Sequence, residues 1–206
     1  MAIASGLTTT CTNLQSSGGI KTVFIREWNS TGSPDQIATL GTGTITSIAD
    51  SGGSTSTWGV YETKLETPVL SITGSSVGNA NTYECTLVFN LPQLDLARRN
   101  SITDMQGKCL QVMTLDTNGT YFVIGISGTL TGGDGGLDLA AASHIGTRPQ
   151  TFARLSAVEG GTGAAFSDET GLTVTLSCTQ YELPRTYVAA GAAVSINAAG
   201  LVATVS

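Results

Sequence analysis

Apolar and polar residues alternate along much of this chain, which is the pattern of β-strands with one buried face. The clearest stretch is 83–91, YECTLVFNL, whose odd-numbered positions are all apolar and would share one face. The even-numbered positions would face away from the core: Glu84, Thr86, Val88 and Asn90. Similar apolar runs predict further strands at 20–27, 37–48, 58–65, 69–73, 109–115, 120–126, 172–181, 193–197 and 201–205.

One segment follows the helical period instead. In LPQLDLARRNSITDMQGK, the residues that recur at spacings of three and four are Leu94, Ala97, Ser101, Ile102 and Met105. Pro92 suits a first helical turn, Asp95 complements the N-terminal dipole, and Gly107 suits the end of the helix. The pattern predicts one α-helix, at about 93–106.

The run 110–128, LQVMTLDTNGTYFVIGISG, contains a short polar interruption between two strand-like halves. Asn118-Gly119 is a strong hairpin signal, because both residues accept positive φ. A calcium loop of the EF-hand type would need flanking helices and a glutamate at its twelfth position, and this segment has neither. The interruption therefore predicts a turn between strands.

Glycine and small residues dominate the stretch 128–171, where we expect a long, loop-dominated connection that serves function or forms an interface. We find no internal repeat and no clean domain boundary. With 206 residues, the chain can form one domain with a sizeable core. The 26 glycines and many short strand signals predict a mainly β fold.

Composition narrows the possible functions. Apolar residues make up 40% and charged residues 12% of the chain, the opposite of a disordered protein. The formal net charge is −6, and the nine lysines and arginines are scattered, which argues against tight nucleic-acid binding. We find neither a signal peptide nor a run of about 18 apolar residues that could span a bilayer. Four widely spaced cysteines are therefore expected to be thiols made in a cytoplasm: Cys11, Cys85, Cys109 and Cys178.

The sequence gives little support to catalysis. His144 is the only histidine, and the G-x-S-x-G, H-E-x-x-H and phosphate-loop motifs are all absent. Loop carboxylates could form an acid–base pair, but sequence does not show whether any two converge. A sugar-cleaving enzyme would usually line its groove with aromatic residues, which are only 6% of this chain. We expect no enzymatic activity, no cofactor and no metal.

Two predicted strands carry polar side chains on one face each. These residues are Glu62, Lys64 and Glu66 on the first strand, and Glu84 and Thr86 on the second. Such a face is either an ordinary solvated sheet surface or the lining of a water-filled passage.

The order of segments in this chain resembles that of the tail tube (major tail) proteins of long-tailed bacteriophages, particularly those of Bacteroidetes phages and prophages. The similar stretches are GGIKTVFIREW, YETKLETP, TYECTLVFNLPQLDLARRNSI, GKCLQVMTLDTNGTYFVIGISGTL and GTGAAFSDETGLTVTLSCTQYELP. Together they cover about residues 18–187, and it is their order and spacing that match.

The resemblance implies an antiparallel β-sandwich or half-barrel with one flanking helix and an N-terminal arm at about 1–17. We expect the Ala- and Gly-rich residues at about 188–206, which lie beyond the resemblance, to form a C-terminal extension. It also implies subunits that form rings, usually hexamers, which stack into a hollow tube in the virion after synthesis in the bacterial host cytoplasm. The partners would be other copies, other tail proteins, and DNA that passes without specific binding; no membrane is involved. Lumen-facing candidates are Glu62, Lys64, Glu66, Glu84 and Thr86, and contacts between rings are expected from 1–17, 50–57 and 128–171.

Two other functions stay open. A capsid decoration or neck protein would also be β-rich and oligomeric, but it would not form a continuous tube. A carbohydrate-binding or adhesin module would need exposed aromatic residues on a groove, and Trp28, Trp58 and Tyr61 are available for that purpose.

Overall fold

The computed structural model of the protein describes residues 18–27, 36–41, 44–49, 56–63, 67–77, 80–93, 95–125, 152–162, 170–180, 183–188, 195–197 and 202–205. These residues form two β-sheets and one helix, so the predicted mainly β fold with a flanking helix is confirmed. The elements are β1 (Ile20–Glu27), β2 (Gln36–Gly41), β3 (Thr44–Ala49), β4 (Ser56–Glu62), β5 (Val69–Val77), β6 (Ala80–Pro92), α1 (Leu96–Met105), β7 (Leu110–Asp116), β8 (Tyr121–Ile124), β9 (Arg154–Gly161), β10 (Gly171–Gln180), β11 (Arg185–Tyr187), β12 (Ser195–Asn197) and β13 (Val202–Val205).

The smaller sheet has four antiparallel strands in the order β5-β6-β10-β9. Its two central strands, β6 and β10, pair along ten residues each and place apolar side chains opposite one another on the same face. The opposed core pairs are Cys85 with Cys178, Leu87 with Leu176, and Phe89 with Val174. The alternation of apolar and polar residues in β6 and β10 therefore corresponds to one buried face and one outer face of the smaller sheet.

The larger sheet has nine strands in the order β12-β13-β4-β1-β7-β8-β11-β3-β2. All its neighbouring strands are antiparallel except β11 and β3. Strands β13 and β3 stand second and eighth in this order, yet they contact each other. The sheet therefore curls towards closure, as a half-barrel does.

Curling gives the larger sheet two buried faces. One face contributes Val23, Ile25 and Val112 to the sandwich core, which they share with the smaller sheet and the helix. Residues on the opposite face of β1, β7 and their neighbours β4 and β8 are equally buried outside that core: Phe24, Trp58, Met113 and Val123. They form a second core on the inner side of the curve, where the rings of Phe24 and Tyr121 lie 6.2 Å apart.

Helix α1 covers one part of the sandwich core with Ile102 and Met105. Asp95 caps its N-terminus by accepting a hydrogen bond from the backbone N–H of Arg98 at 2.7 Å. The hydroxyls of Tyr61 and Ser101 form a hydrogen bond of 2.6 Å that ties the helix to β4. The helix thus lies inside the predicted range.

Some details of the helix prediction are wrong. Pro92 ends β6 rather than opening the helix, because the strand continues in register with β10 as far as Gly171. Ala97 is exposed, so the apolar stripe consists of fewer residues than expected. Leu94 lies outside the described residues, and Gly107 follows the helix with a φ of 71°, as its stop signal predicts.

The hairpin predicted at Asn118-Gly119 is confirmed between β7 and β8. Gly119 has a φ of 84°, a value that glycine adopts without strain. The Asp116 carboxylate accepts hydrogen bonds from the backbone N–H groups of Asn118 and Thr120, at 2.9 and 2.7 Å. The aspartate therefore stabilises the turn from within.

Several strands differ from the prediction. The segment 37–48 is two strands, β2 and β3, which pair with each other as an antiparallel hairpin. The stretch 128–171 was predicted to be loop-dominated but contains β9, and β11 was not predicted at all. Both missed strands owe their conformation to pairing, β9 with β10 and β11 with β8 and β3.

Candidate assembly surface

The edge strands of the smaller sheet have little cover. Residues 71–76 of β5 and 156–161 of β9 are all exposed. This holds both for positions on the core face of the sheet and for positions on its outer face. Ile72 and Val158 lie on the core face of the sheet and are still 41% and 38% exposed, and Val69 on the outer face is 53% exposed. Isolated subunits therefore leave apolar side chains uncovered along both edges of this sheet.

Each edge strand also has one side without a partner strand. Among the described strands, β5 pairs only with β6, and β9 pairs only with β10. Exposed edges usually carry lysine, proline or another device that prevents pairing with a further strand. Strand β5, VLSITGSSV, has no charged residue and no proline. The backbone of another strand can therefore form hydrogen bonds with the open side of β5.

Glycine sets the geometry at the end of β9. A Cβ atom on Gly160 would lie 2.2 Å from the carbonyl oxygen of Gly171, so only glycine permits this approach of β9 to β10. Residues 159–161 (EGG), which lie in the stretch predicted to be loop-dominated, are thus part of a strand pair.

A groove lies beside the open edge of β5. It has a volume of about 520 Å³ and is lined by Gly19, Val69, Ile72, Thr114 and Phe122, among others. The hydroxyl of Thr114 is buried and has no hydrogen-bond partner within the described part of the chain. The open edge of β5 therefore lies next to apolar side chains and to one buried hydroxyl that has no hydrogen-bond partner among the described residues.

The outer face of the smaller sheet is covered with hydroxyl groups. Its cross-strand rows are Ser71–Thr86–Ser177–Arg154, Thr73–Glu84–Thr179, Val69–Val88–Thr175–Ala157 and Asn90–Thr173–Glu159. These rows hold two carboxylates and one guanidinium. The face is polar, weakly charged and regular, and it offers no deep aromatic groove.

The structure locates three of the five predicted lumen residues. Glu84 and Thr86 lie on the outer face of β6, opposite the core, with Glu84 exposed and Thr86 half-buried. Glu62 is exposed but lies on β4, beside Thr22 of the larger sheet. The two strands thus belong to different sheets, and Lys64 and Glu66 lie outside the described residues. The lumen-facing role of all five remains a prediction.

The other predicted contact regions are only partly described. The arm at 1–17 and residues 50–55 lie outside the described ranges, as does most of 128–171 apart from β9.

In the described residues, no three potential ligand side chains are close enough to hold a metal. No described helix has the length and apolar content that a membrane crossing requires.

The two aromatic residues considered for sugar binding that the structure describes, Trp58 and Tyr61, do not form an exposed platform. Trp58 is fully buried, with the Arg26 guanidinium 5.2 Å from its ring centre. Tyr61 is half-buried and packs against Phe89 with ring centres 6.2 Å apart. Burial raises the pKa of the Tyr61 hydroxyl, as expected for a phenol held inside the fold. Trp28 lies outside the described residues.

No family model, curated protein or solved structure matches the chain. Its function is therefore inferred from the residues and from the geometry of the sheets.

Proposed function

We propose that this protein is a structural subunit that assembles through the edges of its smaller sheet into rings, and that the rings stack into the tail tube of a bacteriophage. The observation that carries the proposal is the pair of edge strands, β5 and β9, exposed on both faces beside a well-buried centre. The resemblance in the order of sequence segments supplies the phage context.

Strand directions support a ring. The order β5-β6-β10-β9 is antiparallel throughout, so β5 and β9 run in opposite directions. When equally oriented copies stand side by side, β9 of one meets β5 of the next as an antiparallel pair. Because the two edges are different surfaces, the contact is head-to-tail, which produces a closed ring or a filament rather than a two-fold dimer.

The size of such a ring suits a hollow tube. With strands about 4.8 Å apart, six four-stranded sheets give a perimeter of roughly 115 Å and a backbone diameter of roughly 37 Å. Side chains narrow this opening, and strand tilt widens it. The remaining passage admits a DNA duplex.

The outer face of the smaller sheet suits the wall of that passage. Its hydroxyl groups are wettable, and Glu84 and Glu159 outnumber the single Arg154 among its charged residues. A wall with few cations makes few attractive contacts with phosphate, so DNA can slide along it. This is the surface on which Glu84 and Thr86 stand.

Electron microscopy of the purified full-length protein tests the proposal, with Ile72→Lys as the disrupting variant. We expect rings or tubes with a central hole from the wild type, and dispersed subunits from Ile72→Lys, because a charge on β5 prevents a further strand from pairing. Leu183→Lys is the matched control, since it places the same charge on an aliphatic residue that is 58% exposed and outside β5 and β9.

The outcomes are distinct. Tubes from the control together with dispersed Ile72→Lys subunits would support the edge contact. Single rings that never stack would favour a neck protein. Wild-type monomers at every concentration, or equal assembly by both variants, would contradict the proposal.

A further inference from the structure

Two cysteines face each other in the middle of the smaller sheet. Cys85 of β6 and Cys178 of β10 are direct cross-strand partners, and their side chains lie on the core face. Both are free thiols, 0% and 5% exposed. The position of the two cysteines follows from the register of the two central strands, so it does not depend on the proposed function.

The register brings the two residues within disulfide range. Directly opposed residues of antiparallel strands have Cα atoms about 4.5–5.5 Å apart. A disulfide needs a Cα separation of about 4.4–6.8 Å and Cβ atoms that point the same way. The Cys178 thiol lies 3.5 Å from Oε1 of Gln180. The Cα separation typical of directly opposed antiparallel residues lies within the range that a disulfide spans.

We propose that Cys85 and Cys178 form a latent cross-strand disulfide that closes under oxidising conditions and staples β6 to β10. A small organic disulfide serves as the oxidant. The thiolate of one cysteine attacks it, which releases one small thiol and leaves a mixed disulfide on the protein. The second cysteine then attacks that protein sulfur and releases the second small thiol. The protein thiols lose two protons and two electrons, and the oxidant gains them.

The environment assigns the order of the two steps. Interaction with Cys178 lowers the pKa of the Cys85 thiol, whereas interaction with Cys85 and burial raise the pKa of Cys178. Cys85 also lies beside the exposed edge strand β5, so we assign it the first attack, because the thiolate is the reactive form. Cys178 completes the bond.

The edge strand controls access to this pair. Ile72 of β5 stands directly opposite Cys85 in the same cross-strand row, on the side away from Cys178. Residues 71–76 of β5 are exposed, so this strand can separate from β6 without unfolding of the central pair. Such an opening exposes Cys85 to a small oxidant.

The test uses the full-length Cys11→Ser/Cys109→Ser variant, in which Cys85 and Cys178 are the only thiols. The protein is treated with oxidised glutathione in the folded state and, separately, during refolding from denaturant. We expect the alkylatable thiols to fall from two to none, a peptide pair that contains Cys85 and Cys178 to be linked, and the melting temperature to rise by several degrees. Further replacement of Cys85 by serine is the control and should abolish all three changes.

Linkage in either arm, with a native circular dichroism spectrum, would support the proposal. Two free thiols in the refolded native protein, or a bond that links two chains, would overturn it. During refolding the oxidant can reach both thiols. Slow access of the oxidant to the folded protein therefore cannot hide the ability of the two cysteines to form the bond.

Discussion

The two sheets of this protein bury their strands in opposite ways. The middle of the nine-stranded sheet is covered on both faces, by the sandwich core on one side and by its own curvature on the other. The four-stranded sheet is covered on one face only, and its edge strands are exposed. The difference suggests that the larger sheet supplies the stability of the subunit while the smaller sheet supplies the surface for association.

Polar residues follow the same division. In the larger sheet, Arg26 is 8% exposed and donates two hydrogen bonds to Oε1 of Gln111, at 3.0 and 2.8 Å. In the smaller sheet, Arg154 and Glu84 are exposed on the outer face. Buried polar groups of the first kind fix one arrangement of the fold, whereas polar groups of the second kind face solvent on the outer surface of the sheet.

The largest effect expected from this comparison is loss of stability on replacing Phe24 by alanine. The ring is fully buried in the larger sheet, so Phe24→Ala should cost about 3–5 kcal/mol of unfolding free energy. Ile72→Ala, at the exposed edge, should cost less than about 1 kcal/mol in the dispersed subunit. Urea unfolding followed by circular dichroism measures both values, and similar losses would contradict the division between the sheets.

A smaller effect is expected from a pair of arginines, one in each sheet. Arg26→Ala should cost about 2–3 kcal/mol, because it leaves the buried Gln111 oxygen without its charged donor and removes the contact with Trp58. Arg154→Ala should change the unfolding free energy by less than about 1 kcal/mol, since that side chain is exposed and its polar contacts are weakened by solvent. Thermal unfolding of the two variants at the same protein concentration measures both changes in stability. A larger loss from Arg154→Ala would reverse the assignment.

Local patterns predicted much of the fold. Alternation located β6, predicted at 83–91 and observed as Ala80–Pro92, and the Asn118-Gly119 signal located its hairpin. Strand β9 escaped prediction because its sequence, RLSAVEGG, has exposed residues on both faces and so lacks an alternating pattern. A strand of this kind is determined by its neighbour in space, which the local sequence does not specify.

The candidate surface was predictable only in part. Period-two alternation was enough to place Glu84 and Thr86 on the outer face of β6. The two open edges depend on the order β5-β6-β10-β9, in which β6 ends at Pro92 and its neighbour β10 begins only at Gly171. Such long-range pairing follows from how the whole chain packs, so sequence alone could not show that Glu62 and Glu84 belong to different sheets.

Hydrogen–deuterium exchange of the dispersed and the assembled protein tests the central claim most directly. If copies join through β5 and β9, the backbone amides of these two strands should exchange at least about tenfold more slowly after assembly, because new strand pairing protects them. Amides in β1 and β7, which are already paired on both sides, should change little. Unchanged exchange in β5 and β9, with new protection elsewhere, would contradict assembly through the edges of the smaller sheet.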